Sequence, residues 1–388
     1  MKTYKNIFKE ITSLENLLGA WIEFKKGKTN KFDVQLFERN LEKNLFSLHR
    51  KLLNKKYSHN TYSEFYIRDP KVRQIHKATV KDRIVHHLLF QILNPIFEPT
   101  FIPASYSCRK EKGTHKAVHH LARSARKVFQ SHGKCFVLKC DIRKFFHTIN
   151  HELLLKIIGE KIKDDNAMKL VRKVVESFSS EFSFEEDVKG TPIGNLTSQL
   201  FVNIYMNRFD QFVKHELRIK HYIRYTDDFV VVHQNEDYLW DMKNKMESFL
   251  ENELRLSLHP DKVCVRKYSQ GIDFLGYIIL PKFRLFRTKA KKRMMRKMKL
   301  KAKQFFCGEV SEESLFQSFN SYLGILGHAD CHGLKGKLHH KLWEWTKQKG
   351  TADLLPTLSE TPKGPNCGGA TAPSSPQSDS KRDNRPMG

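Results

Sequence analysis

Acidic residues are the scarce ones in this chain. Its 388 residues carry 69 Lys and Arg against 42 Asp and Glu, a formal net charge of +27. A small soluble domain usually carries a net charge of roughly 2–8 in magnitude, so the excess points to a polyanionic partner, nucleic acid first. Long apolar runs are missing too. No stretch reaches the roughly 18 apolar residues of a membrane span, and Met1-Lys-Thr-Tyr-Lys-Asn6 lacks the apolar core of a secretory signal, so no membrane partner is expected. The seven cysteines are scattered, with no Cys-x-x-Cys pair. That spacing argues against a zinc ribbon or a disulfide framework and for free thiols in a reducing, cytoplasmic setting. His328, Cys331 and His332 come nearest to a metal cluster but lack the paired spacing of a zinc site. Six of the thirteen prolines fall within 351–388, among Ser, Gly and Thr, the composition of a disordered tail. No internal repeat is visible.

What is present is organised around His221-Tyr-Ile-Arg-Tyr-Thr-Asp-Asp-Phe-Val-Val-Val-His233. Apolar β-formers run up to Tyr225-Thr226-Asp227-Asp228 and away from it, the pattern of a hairpin with a short polar tip. Two adjacent carboxylates at one tip repel each other. A divalent cation would offset that cost, and Mg²⁺ prefers oxygen ligands of this kind. By itself the pair would pass as an ordinary acidic turn.

The flanking chain supplies the context. Residues 1–65 carry apolar positions at helical spacing, such as Ile11, Leu14, Leu17, Leu18 and Trp21, and predict a helical N-terminal extension. Lys71, Arg73, Lys81 and Arg83 are close enough in sequence to converge on a triphosphate or a template backbone, a task that suits the arginine fork. Leu88–Phe97 reads as a helix ending near Pro95 or Pro99. A polar, basic loop over 105–114 opens another helix, from His115 to Val128. Cys135–Asp141 reads as an apolar strand ending in a carboxylate, followed by the aromatic pair Phe145-Phe146. Asp141 lies 86 residues before Asp227, so only a fold can unite them. Gly190–Gln199 is a Gly/Pro turn, with Thr197 or Ser198 placed to cap the next helix. Lys262 follows a turn near the start of a further strand. Phe274–Leu280 reads as one short apolar β segment. Residues 282–306 form a basic stretch suited to lie along a duplex backbone. Within 311–350, Phe316, Phe319, Tyr322, Leu323, Trp343 and Trp345 are the expected core.

A strand-end Asp and an Asp-Asp tip are what two-metal phosphoryl transfer requires. One ion activates an attacking hydroxyl and the other stabilises a departing pyrophosphate. A lysine such as Lys262 would be able to protonate the leaving group.

Asp141-Ile-Arg-Lys-Phe-Phe146, Ile193-Gly-Asn-Leu-Thr-Ser-Gln199, Tyr225-Thr-Asp-Asp228 and Phe274-Leu-Gly-Tyr277, in that order over roughly 65–345, resemble the motifs of reverse transcriptases. The chain is most similar to the group II intron-like lineage, and within it to enzymes of diversity-generating retroelements. Ser198-Gln199 stands where intron enzymes usually carry Ser-Pro, and Ile193 where they usually carry Gln. Lys81-Asp-Arg-Ile-Val-His-His87, Pro95-Ile-Phe-Glu98 and Ser105-Tyr-Ser-Cys-Arg109 also resemble that group.

The resemblance implies an α+β right-hand polymerase fold with an antiparallel-sheet palm. Fingers would span 66–135 with an insert at about 158–190, the palm 136–280, and a helical, basic thumb 281–350. It implies that Asp141, Asp227 and Asp228, helped by the Ile142 carbonyl, bind two Mg²⁺ ions. Arg73 and Arg83 would contact nucleotide or template. Phe146 would be the gate against a ribose 2′-OH. Ile193, Gly194 and Gln199 would line the nucleotide and template pocket, and Phe274, Leu275, Gly276 and Tyr277 would form a primer grip. The implied partners are a template-repeat RNA, a cDNA primer or product, dNTPs and a small basic oligomeric accessory protein, in a bacterial or phage-infected cell. The implied activity is copying RNA into cDNA with errors opposite template adenines. Ile193 cannot hydrogen-bond a base or ribose, which offers a physical reason for weak discrimination. No endonuclease motif or long maturase-like stretch follows the thumb, which disfavours a self-splicing intron protein. The alternatives are a reverse transcriptase of another bacterial group, antiviral or intron-derived, and a non-catalytic RNA-binding protein with a polymerase fold.

Overall fold

The computed structural model describes residues 2–69, 71–183 and 187–347, so the expected tail at 351–388 lies outside the described residues. The chain divides into two compact units, one of 1–294 with 320–332 and one of 295–319 with 333 onward.

The first unit is α+β and holds three antiparallel sheets. A hairpin joins β1 (Ser63–Ile67) to β2 (Arg73–Lys77). The main sheet contains β3 (Phe136–Asp141), β4 (Tyr222–Tyr225), β5 (Asp228–His233) and β6 (Cys264–Lys267) in the order β4-β5-β3-β6. A third sheet is formed by β7 (Ile272–Phe274), β8 (Tyr277–Ile279) and β9 (Arg284–Phe286).

The main sheet is covered on both faces, which is why Phe229-Val-Val-Val232 is apolar without alternation. Leu138, Cys140, Tyr222, Phe229 and Val231 enter one core with the helices Val80–Phe97, His151–Lys161, Leu196–Gln211 and Glu236–Leu254. Val137, Ile223, Val230 and Val232 enter a second core with the helix Thr114–His132 and with Ile272, Phe274, Tyr277 and Ile279. Successive strand residues point to opposite faces, so each strand serves both cores.

The four N-terminal helices, Ile7–Ile11, Leu14–Lys25, Phe32–Glu38 and Leu41–Leu53, belong to the first of these cores. Leu17, Ala20, Trp21 and Phe24 are buried on one side of Leu14–Lys25, whose N-cap Ser13 accepts from the Asn16 N–H. Tyr4 ties the chain start to residue 161, its N–H donating to the Lys161 carbonyl at 2.8 Å.

Three local expectations change. The helix expected from Leu88 begins at Val80 and passes through Pro95 to Phe97. Its start is fixed by a reciprocal cap: the Thr79 hydroxyl accepts from the Asp82 N–H and donates to the Asp82 carboxylate. Neither Thr197 nor Ser198 caps the helix Leu196–Gln211. Asn195 is at the cap position, and the Thr197 hydroxyl meets His86 Nδ1 instead. Phe274–Leu280 is not one strand. Leu275 and Gly276, both in the left-handed region (φ 48° and 91°), turn it into a two-residue hairpin.

After Thr288–Phe306 come the helices Glu312–Leu326 and His332–Thr346. In the second unit Met298, Ala302, Leu315, Phe319, Leu338 and Leu342 are buried, and the Phe319 ring meets His339 edge-on at 4.7 Å. Of the side chains expected as core over 311–350, only Phe319 is fully buried. Phe316, Tyr322, Leu323, Trp343 and Trp345 are half-buried, and leucines do most of the filling.

Asp82 is fully buried and accepts from the Tyr57 hydroxyl (2.9 Å), the Asn60 N–H (3.2 Å) and the Asn60 side-chain amide (2.9 Å). Asp82→Ala would strand those donors and is expected to cost on the order of 2–4 kcal/mol. A urea-unfolding midpoint unchanged from wild type would contradict this account.

Candidate active site

The β4–β5 hairpin closes with only Thr226 and Asp227 outside the ladder, because Tyr225 pairs with Asp228. Thr226 sits in the left-handed region (φ 57°), a conformation that β-branched residues rarely adopt. Two contacts hold it there. The Arg224 guanidinium donates to the Thr226 carbonyl at 3.1 Å, and the Thr226 hydroxyl donates to Ser107 Oγ at 2.5 Å.

Arg224 is itself fully buried. Its fork grips Asp210, also fully buried, with Nε–Oδ1 at 2.8 Å and Nη2–Oδ2 at 2.6 Å. Ser105 Oγ accepts from the same guanidinium at 3.0 Å, and the Tyr222 hydroxyl donates to Asp210 at 2.8 Å. Burial disfavours the guanidinium charge, but the Asp210 carboxylate more than offsets this and raises the Arg224 pKa. No motif in the sequence marks this network. Its signal was an arginine in the middle of an apolar strand, which demands a buried partner.

The register brings the expected acids together. Asp141 ends β3 directly opposite Asp228 on β5. The Ile142 N–H donates to the Asp227 carbonyl at 3.3 Å, and the His259 N–H to the Asp141 carbonyl at 2.8 Å. Lys262 Nζ donates to Asp141 Oδ1 at 2.6 Å, and Lys139 Nζ lies 4.0 Å from Asp228 Oδ1. Burial first, then the Asp228 charge, pushes Asp227 up to about 6. Burial also raises Asp228, against the pull of Lys139. Two lysines therefore leave the three carboxylates under-compensated, and an oxygen-only donor set of this kind suits Mg²⁺. Among the described residues no three His, Cys, Asp or Glu side chains are already gathered to hold a metal ion. An ion held here would keep waters and take substrate phosphates as further ligands.

The other expected site residues fall in three places. The loop before Leu196–Gln211 docks on β2: the His76 N–H donates to the Ile193 carbonyl at 3.4 Å, and a Cβ on Gly194 (φ 111°) would lie 3.1 Å from Ile75 Cγ2. The Thr191 N–H donates to the Phe146 carbonyl at 2.7 Å, so this loop also adjoins the half-buried Phe146. Gln199 is half-buried within the helix. Phe274 and Tyr277 are core residues, and the half-buried Leu275 and Gly276 form the tip between them.

The four cations of 71–83 do not converge. The Lys71 charge reaches Asp228, and Arg73 is exposed on β2. Lys81 instead donates to the Ser58 carbonyl, and Arg83 pairs with Asp33 with its guanidinium 4.9 Å from the centre of the Phe24 ring. Arg83 is thus tied to the N-terminal helix Phe32–Glu38, and Lys81 to the segment that follows Leu41–Leu53.

A sequence profile described as reverse transcriptase (RNA-dependent DNA polymerase) matches residues 60–279, more than half of the chain, and the chain belongs to that family. It is 26% identical over 246 residues to Protein YkfC of Escherichia coli (strain K12), covering 55% of this chain and 64% of that protein. It is 24% identical over 273 residues to the group II intron-encoded protein LtrA of Lactococcus lactis subsp. cremoris, covering 54% and 44%. It is 30% identical over 136 residues to a 91 kDa protein in the cob intron of Schizosaccharomyces pombe, covering 34% and 16%. The chain thus spans less than two thirds of each of these relatives, and its likeness is to the group II intron-like branch.

Two outcomes follow from the geometry. Because Asp227 is raised from 3.8 to about 6, stability falls as pH rises between those values and the full penalty of ionising it remains above about 6. Asp227→Asn should stabilise the protein near pH 8 by on the order of 1–2 kcal/mol and give no gain near pH 4. Mg²⁺ should move the wild-type titration below 6, and a carboxylate titration by NMR that ignores Mg²⁺ would refute this. Arg224→Ala leaves Asp210 buried without its counter-charge and should cost about 3–5 kcal/mol. Arg224→Lys keeps the charge without the fork and should lose less stability while still weakening Mg²⁺ binding, as read by calorimetry.

Proposed function

We propose that the chain is an RNA-directed DNA polymerase that copies a template RNA into cDNA from dNTPs. The observation that carries this is the register placing Asp141 against Asp228, with Asp227 at the adjoining tip. Asp141, Asp227 and Asp228, with the Ile142 carbonyl, would hold two Mg²⁺ ions, which supply activation of the primer hydroxyl and neutralisation of pyrophosphate. Lys262, which donates to Asp141, would be the proton donor for a leaving group. Phe146 and the loop carrying Ile193 and Gly194 adjoin one another, which supports a role for both in holding the incoming nucleotide. Leu275 and Gly276 are suited by their turn to meet a primer strand. In this reading residues 66–135 act as fingers, 136–280 as palm with a finger insert at 158–190, 281–350 as thumb, and 1–65 as a helical extension fixed to the fingers and palm.

Within that activity we favour mutagenic copying of a template repeat in a diversity-generating retroelement, aided by a basic accessory protein. The support is Ser198-Gln199 and Ile193, an apolar side chain on the loop that docks against β2. The likeness to a group II intron-encoded protein supports a second reading, an intron-derived enzyme.

Primer extension on an RNA template with Mg²⁺ and dNTPs, with and without the accessory protein, followed by cDNA sequencing, tests both. Synthesis should fall at least 100-fold in Asp227→Ala/Asp228→Ala, an order-of-magnitude figure for loss of metal-assisted charge stabilisation. Errors should concentrate opposite adenine and decline in Ile193→Gln. Accurate synthesis under complete conditions selects the intron-derived reading, and no synthesis rejects the polymerase.

A further inference from the structure

The amine of Lys139 stands between the acid cluster and the small sheet. Lys139 precedes Asp141 by two residues on β3, and the register sets it opposite Val230, diagonal to Asp228. Successive strand residues alternate between faces, so Lys139, Asp141 and Asp228 share the face of Val137 and Val230, which carries the second core and the β7–β8 hairpin. There Lys139 Nζ donates to the Asp273 carbonyl at 3.2 Å and lies 4.0 Å from Asp228 Oδ1. The first contact is long for a charged donor, and the second is beyond hydrogen-bond reach. The ammonium is pulled both ways and seated fully in neither place.

Asp273 is the fixed end of this bridge. The β7–β8 hairpin closes with the pair Phe274–Tyr277, so Asp273 and Ile278 form the next, non-hydrogen-bonded pair. The Asp273 carbonyl therefore points off the open edge of the small sheet, where Lys139 meets it. The Asp273 carboxylate grips the Arg287 guanidinium, with Nε–Oδ1 at 2.8 Å, and the Arg287 N–H donates to the Gly276 carbonyl at 3.0 Å. One arginine thus pins the side chain of Asp273 and the turn beyond it, and the lysine holds the main chain of Asp273 from the other side.

Electrostatics decides which way the amine leans. Of the charges that reach Asp228, that of Lys139 acts most strongly. A cation engaged by Asp228 would cancel this attraction and repel the ammonium, leaving the Asp273 carbonyl as its partner.

We propose that Lys139 is a positioning residue that couples the acid cluster to the β7–β8 hairpin. When a divalent cation engages Asp228, the ammonium moves from the carboxylate to the Asp273 carbonyl and firms the hairpin that carries the Leu275–Gly276 turn. By linkage, whatever firms the hairpin favours the cation in the same measure. The proposal rests on the reading of the three acids as a Mg²⁺ site, and its test needs no catalysis.

Amide hydrogen exchange of the full chain over 272–279, with and without Mg²⁺ and in the absence of nucleic acid and dNTPs, reads the hairpin, while calorimetry reads the ion. In the wild type Mg²⁺ should slow exchange there by about 5-fold, a small coupling on the usual scale. Lys139→Met should exchange faster than wild type and ignore Mg²⁺ while binding it more tightly, for want of a competing charge. Lys139→Arg, which keeps the charge and a donor, should restore part of the response. Asp228→Asn should exchange slowly even without Mg²⁺, because its amide no longer competes for the ammonium; a lysine with a merely structural role gives no such gain. Lys71→Met removes another charge that reaches Asp228 and should leave the hairpin response near wild type. If Lys139→Met does not fold, the wild-type and Asp228→Asn arms decide. A wild-type hairpin unmoved by Mg²⁺ that calorimetry shows to be bound would overturn the coupling and leave the metal site standing. No Mg²⁺ binding in the wild type would reject the metal site, and fast exchange in Asp228→Asn without Mg²⁺ would overturn the coupling by itself.

Discussion

The grip of Arg224 on Asp210 is the constraint on which the site depends. A charged pair without solvent access survives only when its geometry satisfies nearly every donor and acceptor, and here it does so from several segments at once. Asp210 comes from the helix Leu196–Gln211, Arg224 from β4, Ser105 from the loop before Thr114–His132, and the Thr226 carbonyl from the acidic hairpin tip. Asn203 joins the same helix to the same loop by donating to the Ser107 carbonyl at 3.0 Å. Removing the pair would therefore loosen the carboxylates as a group. The strain at Thr226 is affordable only because this frame over-determines the turn.

The second requirement is electrostatic. Three acids meet at the end of a sheet with apolar cores on both faces, where the fields between charges are strong. Lys262, beside Asp141, and Lys139, near Asp228, temper their repulsion without cancelling it. Such a site has its backbone in register but is electrically incomplete, and the backbone bonds from Ile142 and His259 hold it in that condition.

How much of this was legible in the sequence depended on range. The strand ending at Asp141, the hairpin around Asp227-Asp228 and the helix up to Leu254 all follow from local pattern. The acids of β3 and β5 were expected to meet because a single chemistry would need both. What escaped were interactions between residues distant in sequence that leave no local period. The pairing of Arg83 with Asp33, 50 positions earlier, leaves no such trace. Thr197 reads as a cap until His86 claims its hydroxyl. Phe274–Leu280 reads as continuous because Leu275 is apolar, and nothing in its side chain announces a left-handed backbone.

The double burial of the main sheet has a consequence for how sequence change spreads through the protein. On β5, Phe229 and Val231 belong to the core of the helices, while Val230 and Val232 belong to the core of the small sheet and the helix Thr114–His132. Covalent neighbours are thus strangers in packing. Substitutions at alternate positions of one strand will find their compensating partners in unrelated stretches of the chain. Odd and even positions of β5 can therefore drift as two independent lineages of change, tied together only by the backbone that carries Asp228.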